Sequence, residues 1–284
     1  MVGLTPPSTS APPELIIEAG RTEKNYWRDL WRYRELFYFL AWRDILVRYK
    51  QTVIGIAWAV IRPLLTTIVF TFVFSRVAKL TAPGAVPYAL LVMAAMLPWQ
   101  FFSTSLSESS SSLISNSNLI SKIYFPRLIV PAGSVITSFV DFLITLGLMA
   151  VLMLWYGFMP DWHLLFLPFY LALALGASLG VGLWLCALNV EYRDFRYIVP
   201  FIAQFGLFVS PIAIETSKVP AKWRLALSLN PMTGIIDAFR WSILRGRTAF
   251  DPVSLYFSIG LTALFMWWGV WYFRRTERGF ADVI

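Results

Sequence analysis

Two charged side chains lie within long apolar runs of the sequence. Arg62 lies in the run 53–75, and Asp141 lies in the run 129–156. A charge at the centre of a bilayer costs about 2.5–3.5 kcal/mol on insertion scales, so such a residue usually faces a partner or a cavity. We therefore expect Arg62 and Asp141 to pair between two spans or to line the inner entrance of a pathway. The alternative for Arg62 is that its long side chain extends to the inner headgroups.

Residue types that usually carry bond chemistry are scarce in this chain. It has one cysteine, Cys186, and one histidine, His163, which are too few for a disulfide or a metal cluster. It contains no Gly-x-x-x-x-Gly-Lys-Ser/Thr phosphate loop, and it offers no carboxylate pair on a soluble face of the kind that a glycosyltransferase needs. We therefore predict that the chain is not an enzyme and has no catalytic, cofactor-binding or metal site of its own.

The composition indicates a membrane protein. Hydrophobic residues make up 58% and charged residues 14% of the 284 residues, and the mean hydropathy is +0.64. A soluble domain has about 25% charged residues, so lipid must cover part of this surface. The net charge of +8 could indicate a nucleic acid partner. However, the basic residues flank apolar runs, which is typical of anchoring at the cytoplasmic side of a membrane.

The chain divides into three predicted parts. Residues 1–25 begin with a segment rich in proline, serine and threonine, which predicts a disordered extension. Residues 26–52 combine arginines with aromatic residues at helical spacing, which predicts a cytoplasmic amphipathic helix in the headgroup plane. The alternative is a soluble helix packed on a partner. Residues 53–284 form the predicted transmembrane domain.

The predicted fold class is an all-α membrane protein with six transmembrane helices after the amphipathic helix. Each span has close to the roughly 20 residues that a bilayer core requires. The spans are predicted at about residues 53–75, 86–106, 129–156, 164–188, 197–214 and 253–273. Short re-entrant or interfacial helices are expected between the fifth and sixth spans, because Asn230-Pro231 combines an N-cap residue with proline at the first helical position.

The distribution of basic residues predicts which side of the membrane the termini occupy. With six spans, fifteen lysine and arginine residues fall on the side of the termini and eight fall on the other side. This excess follows the positive-inside rule. We therefore expect a multi-pass protein with both termini in the cytoplasm.

A pair of glycines in the fourth predicted span permits close helix packing. Gly176 and Gly180 form a Gly-x-x-x-Gly step, which lets two helix backbones approach each other. The step could serve packing within one protomer or contact between two copies.

Several short motifs resemble those of one family of transport proteins. They are Arg48–Gly55 with Trp58 and Arg62-Pro63, Tyr124–Arg127 with Pro131, Leu188–Asp194, Ser210-Pro211, and Asn230–Thr233 with Phe239-Arg240. In this order they are similar to the membrane permeases of bacterial polysaccharide ABC exporters of type 2, which export O-antigen, teichoic acid or capsular glycans. The resemblance covers nearly all of residues 35–284. The sequence departs from it at Glu191, a position that is commonly basic in such permeases.

The resemblance implies an assembly in the bacterial inner membrane. It implies a homodimer around a central channel, two copies of a separate ATPase that binds ATP and Mg, and an undecaprenyl-linked polysaccharide as substrate, with no nucleic acid partner. It also implies a coupling helix within residues 107–127; the alternative is a polar solvated loop. For Arg193 and Arg196 the alternative is ordinary positive-inside anchoring. The residues expected to contact the ATPase are Asn118, Ile120, Lys122, Tyr124, Arg127, Arg193, Asp194 and Arg196.

Aromatic residues make up 17% of the chain and are suited to stacking against sugar rings. Some of them are expected to line or gate a glycan channel, and the alternative is the aromatic belt that membrane proteins place at the lipid interface. The candidate channel and gate residues are Phe70, Phe74, Tyr88, Trp99, Phe101, Phe102, Phe205 and Phe208.

The sequence leaves two other transport functions open. One is the export of a small hydrophobic substrate or drug by a permease of the same type, which an apolar channel lining would favour. The other is a secondary transporter or channel without an ATPase, which predicts inverted repeats and intramembrane ion ligands. No repeat is visible in the sequence and acidic intramembrane residues are few.

Overall fold

The computed structural model describes residues 26–50, 55–120 and 122–280. Within these ranges the regular structure is helical, without strands. The helices are α1 (Tyr26–Arg32), α2 (Arg34–Lys50), α3 (Gly55–Phe70), α4 (Tyr88–Ser115), α5 (Ser117–Ile120), α6 (Ile129–Trp155), α7 (Leu167–Glu191), α8 (Phe195–Val209), α9 (Ala221–Ser228), α10 (Pro231–Ile243) and α11 (Pro252–Thr276). The predicted disordered extension 1–25 and the start of the first predicted span lie outside the described residues.

Among the described residues, five helical segments are long and apolar enough to cross a bilayer, which confirms the all-α membrane fold. They are Ala57–Val77, Tyr88–Ser115, Ile129–Trp155, Trp162–Glu191 and Pro252–Gly279. The first of them ends in a π-helical turn over Thr71–Val77, which extends α3. Helix α8 is apolar but has only 15 residues. At about 1.5 Å per residue it is shorter than a bilayer core of about 30 Å.

The fifth predicted span, 197–214, ends earlier in the structure than in the sequence prediction. Helix α8 stops at Val209, and Ser210 has extended backbone angles of φ −88° and ψ 148°. A residue that precedes proline is disfavoured in the helical conformation, so Ser210-Pro211 terminates the helix. The segment 210–215 that follows is irregular.

Helix α4 is the central element of the fold. Of its most apolar stretch, 78% is buried inside the protein, against 11% for the span that contains α3. Helix α4 packs against α6, α7, α8 and α10, while α11 packs against α7 and α2 packs along α6. The span of α3 therefore lies at the periphery of the single chain, where lipid or another protein surface can cover it.

Helices α7 and α11 touch through their backbones. A Cβ atom on Gly269 would lie 2.1 Å from the carbonyl oxygen of Gly180, and one on Gly180 would lie 2.6 Å from the backbone nitrogen of Met266. A Cβ atom on Gly176 would lie 3.0 Å from the methyl group of Thr262. Of the two arrangements that the Gly-x-x-x-Gly step permits, the structure therefore shows packing within the protomer.

The predicted connection 107–127 is wrong in its first half, because α4 continues through it. Serine hydroxyls bond back to helix carbonyls: Ser110 and Ser111 donate to the carbonyl oxygen of Ser107 at 2.9 and 3.0 Å. These bonds satisfy the hydroxyl groups without leaving the helical conformation. The side chain of Asn189 on α7 donates to the Ser110 carbonyl at 2.8 Å. The C-terminal ends of α4 and α7 therefore lie side by side.

Helix α10, between the fifth and sixth predicted spans, begins as the sequence predicts. The side chain of Asn230 accepts a hydrogen bond from the Met232 backbone nitrogen at 3.0 Å, and Pro231 is the first helical residue. Nearly the whole helix is buried. It packs against α4, α7 and α11, so this segment is a core element of the fold.

Arg240 on α10 is a buried arginine that is held by backbone carbonyls. Its guanidinium donates to the carbonyl oxygens of Leu91 at 3.3 Å, Ile214 at 3.4 Å, and Ile212. Its Nη1 atom lies 3.8 Å from a carboxylate oxygen of Asp237. Arg240 thus joins α10 to α4 and to the irregular segment after α8, and it fixes the path of that segment.

Candidate functional site

A cluster of charged and polar side chains joins α2 to two of the spanning helices. Arg48 on α2 lies 3.0 Å from a carboxylate oxygen of Glu108 on α4 and 3.3 Å from one of Asp141 on α6. The neighbouring Tyr49 hydroxyl donates a hydrogen bond to Asp141. Burial, together with this bond, raises the pKa of Tyr49 above its ordinary value. The cluster ties the helix before the first span to the core of the protein.

The expected pair between Arg62 and Asp141 is not the pair that the structure contains. Asp141 is occupied by Arg48 and Tyr49, whereas the exposed Arg62 lies over the Trp58 ring at 5.9 Å. The physical reason is that α2 runs along α6. This places Arg48, and not Arg62, next to Asp141. Helix α6 passes through Asp141 without interruption.

The sequence interpretation did not assign Arg48, Tyr49 or Glu108 to a site. The sequence did give a reason to consider Glu108 as a site residue, because it is the single acidic residue between positions 76 and 140. Arg48 and Tyr49 were part of a recognised motif, but nothing in their spacing indicated that they would face Asp141.

The short helix predicted within residues 107–127 is present as α5, a single turn at the end of α4, and its coupling function stays a prediction. It is attached to α2, because Arg43 donates to the side chain of Asn116 at 2.7 Å and Asn116 in turn donates to the Ser112 carbonyl at 2.9 Å. The candidate residues Asn118, Lys122 and Tyr124 are exposed there, and so is Ile123. The exposed residues 122–124 after α5, here called the coupling tip, form the surface that a partner could contact.

Ile120, which was expected to contact the ATPase, lies in the protein core and not at the surface. Ile120 is 5% exposed and belongs to a cluster of buried residues with Phe125, Leu128 and Phe280. Its burial follows from the turn after α5, which folds the chain back onto α2 and the end of α11. A change at Ile120 is therefore a change to the protein core.

The candidate Arg127 connects the coupling region to the end of the chain. Its guanidinium donates to the backbone carbonyl of Glu277, and the carboxylate of Glu277 accepts a hydrogen bond from Tyr26 at 3.0 Å. Arg274 lies over the Tyr26 ring at 4.4 Å. The start of α1, the start of α6 and the end of α11 therefore meet at one place, on the same face as the coupling tip.

The second predicted contact region, between α7 and α8, is exposed. Arg193, Asp194 and Arg196 all present their side chains to the outside. Glu191, where the sequence departs from the family pattern, accepts a hydrogen bond from Tyr272 at 3.3 Å. Since the ends of α4 and α7 lie side by side, these residues lie at the same end of the molecule as the coupling tip.

The eight aromatic candidates divide into three structural groups. Trp99, Phe101 and Phe102 are buried in the core of the single chain. Phe70, Phe74 and Tyr88 are half-buried, and the Tyr88 hydroxyl donates to a backbone carbonyl at 2.7 Å. Phe205 and Phe208 on α8 are 57% and 74% exposed. A channel-lining function for all eight stays a prediction.

Two further aromatic residues continue the exposed group on α8. Tyr197 is 78% exposed and Phe201 is 65% exposed, and Phe201 stacks on Phe205 with ring centroids 5.8 Å apart. The four residues, here called the α8 aromatic row, recur at steps of three or four and so lie on one helix face. That spacing was visible in the sequence and could have added Tyr197 and Phe201 to the candidates.

Known proteins similar to this chain are named for the export of O-antigen or capsule polysaccharide. The protein is 27% identical to the O-antigen export system permease protein RfbA of Myxococcus xanthus, with 90% of this chain and 98% of the relative covered. It is 25% identical to the protein of the same name from Klebsiella pneumoniae, with 88% and 95% covered. It is 24% identical to the capsule polysaccharide export inner-membrane protein CtrC of Neisseria meningitidis, with 71% and 76% covered.

The match to a family model covers most of the described fold. The model of the ABC-2 type transporter family matches residues 35–244, from the start of α2 to the residue after α10. It includes the charge cluster of Arg48, the coupling tip and the α8 aromatic row. The chain therefore belongs to the ABC-2 type transporter family and is a membrane subunit of a transporter.

Proposed function

We propose that this protein is the permease of an ATP-driven exporter that moves lipid-linked polysaccharide across the bacterial inner membrane. The relatives that cover most of the chain are named for O-antigen and capsule polysaccharide export. The observation that carries the proposal is the α8 aromatic row, whose four side chains are between 57% and 78% exposed. In a homodimer that places two such rows at its centre, the rings would offer stacking faces to successive sugars.

The proposed power source is a separate ATPase with ATP and Mg, which docks at the end of the molecule that carries the coupling tip. The exposed residues Arg193, Asp194 and Arg196 lie at this end and supply charges of both signs. The bond from Arg43 to Asn116 supports the transmission of movement, because it joins α2 rigidly to the turn before α5. Movement of the tip would then reach α4, α6 and the first span together.

The proposed orientation places both termini and the coupling tip in the cytoplasm. The contact between Tyr26 and Glu277 supports it, because the two ends of the described chain lie on one face. The excess of basic residues that the sequence predicts on the side of the termini, fifteen against eight, supports it as well.

The test is transport of a lipid-linked glycan by proteoliposomes that contain this chain and its ATPase. Phe201→Ala with Phe205→Ala should lower the initial rate about tenfold, because two ring contacts of about 0.7 kcal/mol each would be lost. Tyr256→Ala is the matched control, since Tyr256 is 73% exposed and belongs to α11, a different helix from the one that carries the row. Glycan transport without the ATPase, or equal rates for both variants, would contradict the proposal.

The competing function, export of a small hydrophobic substrate, gives a different result in the same vesicles. An apolar dye would then be transported at the expense of ATP, and the lipid-linked glycan would neither move nor compete with it. The double phenylalanine variant, which keeps an apolar helix face, would be expected to move the dye at a similar rate.

A further inference from the structure

Six exposed basic side chains lie at the end of the molecule opposite the coupling tip. Helix α4 ends just before the tip, and α11 ends beside Glu277, which Arg127 contacts on the same face. The starts of α4 and α11 therefore mark the opposite end. The six side chains come from the loop before α4, the segment around α9 and the turn after α10. They are Lys79, Lys218, Lys222, Arg224, Arg245 and Arg247, here called the α9 basic surface.

Contacts between these three segments join the six side chains into one surface. Lys218 donates a hydrogen bond to the carbonyl oxygen of Thr81 at 2.8 Å, and Arg247 donates one to the carbonyl oxygen of Gly84 at 3.1 Å. The segment before α9 and the turn after α10 therefore both contact the loop before α4. Arg245 and Arg247 lie over the same phenylalanine ring, at 5.8 and 5.4 Å from its centroid.

The positive charge of the α9 basic surface is not balanced by carboxylates. Among the described residues, the ion pairs at this end join the single histidine to Asp161 and Arg240 to Asp237, and neither pair includes one of the six. Of the other acidic residues at this end, Glu215 is buried and Asp251 caps α11. A hydrogen bond to a neutral carbonyl orients a basic side chain without neutralising it. The surface therefore presents net positive charge.

The α9 basic surface lies at the level where spanning helices end. The hydroxyl groups of Ser228, at the end of α9, and Ser254, in the first turn of α11, are hydrogen-bonded at 2.9 Å. Thr81, which Lys218 contacts, comes four residues after Val77, where the first span ends. The ends of spanning helices lie where the hydrocarbon core meets the headgroups. The six charges are therefore close to the headgroup level.

Helix α9 combines basic residues with exposed apolar ones. Lys222 and Arg224 alternate along it with Trp223 and Leu225, which are 57% and 62% exposed. Leu229, just after the helix, is also 62% exposed. Lysine and arginine beside tryptophan and leucine are typical of helices that lie in a membrane interface. A bilayer surface accounts for the charges and for the apolar side chains together, so it fits this helix better than a soluble acidic protein does.

We propose that the α9 basic surface binds the headgroups of anionic phospholipids in the leaflet opposite the coupling tip, with Trp223 and Leu225 at the boundary of the acyl chains. Each basic residue close to a charged bilayer surface adds about fivefold to the affinity. The positive-inside rule disfavours basic residues on the side away from the termini, so their presence there calls for a separate cause. Contact with anionic headgroups supplies one, whatever the substrate of the transporter is.

The experiment measures which lipid surrounds α9 in the full-length protein reconstituted in a bilayer. A bimane label is attached to the variant Leu225→Cys; the natural Cys186 is buried and should not react. The bilayer contains equal amounts of phosphatidylglycerol and phosphatidylcholine, and either one or the other carries brominated acyl chains that quench the label. We expect the relative association constant to favour phosphatidylglycerol about fivefold or more. The preference should fall towards equality in 1 M salt, where the Debye length is about 3 Å.

Matched variants separate this contact from general charge attraction and from local misfolding. Lys222→Gln with Arg224→Gln should lower the preference to less than about twofold, whereas Arg224→Lys keeps the charge and should retain it. Arg193→Gln with Arg196→Gln removes the same charge near the coupling tip and should leave the preference unchanged. A label on Leu264→Cys, at a 52% exposed position within the α11 span, should be quenched equally by the two lipids.

Three outcomes would overturn the proposal. They are equal quenching by the two lipids at Leu225→Cys, an unchanged preference in the double glutamine variant, and the absence of quenching by either lipid. In the last case α9 would stand away from the bilayer, and its charges would be available to a soluble acidic protein. The measurement needs neither the ATPase nor a glycan, so its failure is distinguishable from failure of the proposed function.

Discussion

At the scale of single residues, the contacts of Arg48 decide how the helix before the first span is fixed. Arg48 pairs with carboxylates of two different spanning helices, and its side chain and that of Asp141 are 30% and 23% exposed. Partial burial lets such a pair contribute, whereas fully exposed pairs contribute little. The structure also shows that the arginine that pairs with Asp141 is Arg48 and not Arg62. The sequence alone could not show this.

We predict that Arg48 and Asp141 are energetically coupled. A double-mutant cycle of Arg48→Gln and Asp141→Asn, measured by thermal unfolding in detergent, should give a coupling energy of about 1 kcal/mol. The matched cycle of Arg62→Gln and Asp141→Asn should be additive, because these residues do not contact each other in the structure. Coupling in the second cycle and additivity in the first would restore the pair expected from the sequence.

We also predict that Arg240 cannot be replaced without a large loss of stability. Arg240→Met would remove the donor to three backbone carbonyls and the positive charge beside the buried Asp237, which should cost about 3–5 kcal/mol. Arg240→Lys keeps the charge but supplies fewer directed donors, so it should recover only part of this loss.

The control for Arg240 is an exposed arginine with similar bonds. Arg224 donates to the backbone carbonyls of Val219 at 2.9 Å and Ser217 at 2.6 Å from the surface of α9. Arg224→Met should shift the unfolding midpoint only slightly, because water can replace these bonds. Equal shifts for the two methionine variants would show that burial does not govern the effect.

At the scale of elements, the contact between α7 and α11 determines how closely the two spans can approach. We predict that Gly269→Ala lowers stability by about 1–3 kcal/mol, because the added Cβ atom would overlap the Gly180 carbonyl and separate the helices. Gly260→Ala on the same helix meets nothing within 4 Å, and should be neutral or stabilising by up to about 1 kcal/mol. Unfolding midpoints that fall equally for both would disprove the direct backbone contact.

The coupling tip is a second element whose function can be tested directly. Ile123 and Tyr124 are 54% and 50% exposed, so Ile123→Asp with Tyr124→Asp should leave the fold intact and reduce co-purification of the partner ATPase at least tenfold. Ile120→Asp should instead destabilise the protein itself, because Ile120 is buried. Trp223→Asp, at a 57% exposed position on α9, is the control for an added charge. Normal ATPase recovery with the double variant would remove the tip from the docking surface.

At the scale of the whole molecule, the proposed sidedness can be measured with single cysteines. Cys186 is the one cysteine of the chain and is buried, so the natural protein should not react with a membrane-impermeant maleimide. Lys122→Cys should be labelled only in inside-out vesicles, and Lys222→Cys only in intact cells or spheroplasts, since both positions are exposed. The reverse pattern would invert the proposed orientation.

The sequence by itself determined the class of this protein and much of its local structure. Composition and the lengths of apolar runs do not depend on contacts between distant residues. They were sufficient to predict the all-α membrane fold and most span positions. The cap at Asn230 was predictable for the same reason, because its hydrogen bond reaches only two residues along the chain. The family, too, was recognisable from short motifs.

Only the tertiary structure decided which distant residues meet. The choice of Arg48 over Arg62 as the partner of Asp141 depends on the path of α2 along α6, and the burial of Ile120 depends on how the chain folds back after α5. Likewise, Trp99 and Phe205 are both aromatic residues in apolar runs, yet one is in the core and the other on the surface. Apolar periodicity indicates which side of a helix is apolar. Which neighbour covers that side is decided by packing between segments that are far apart in the chain.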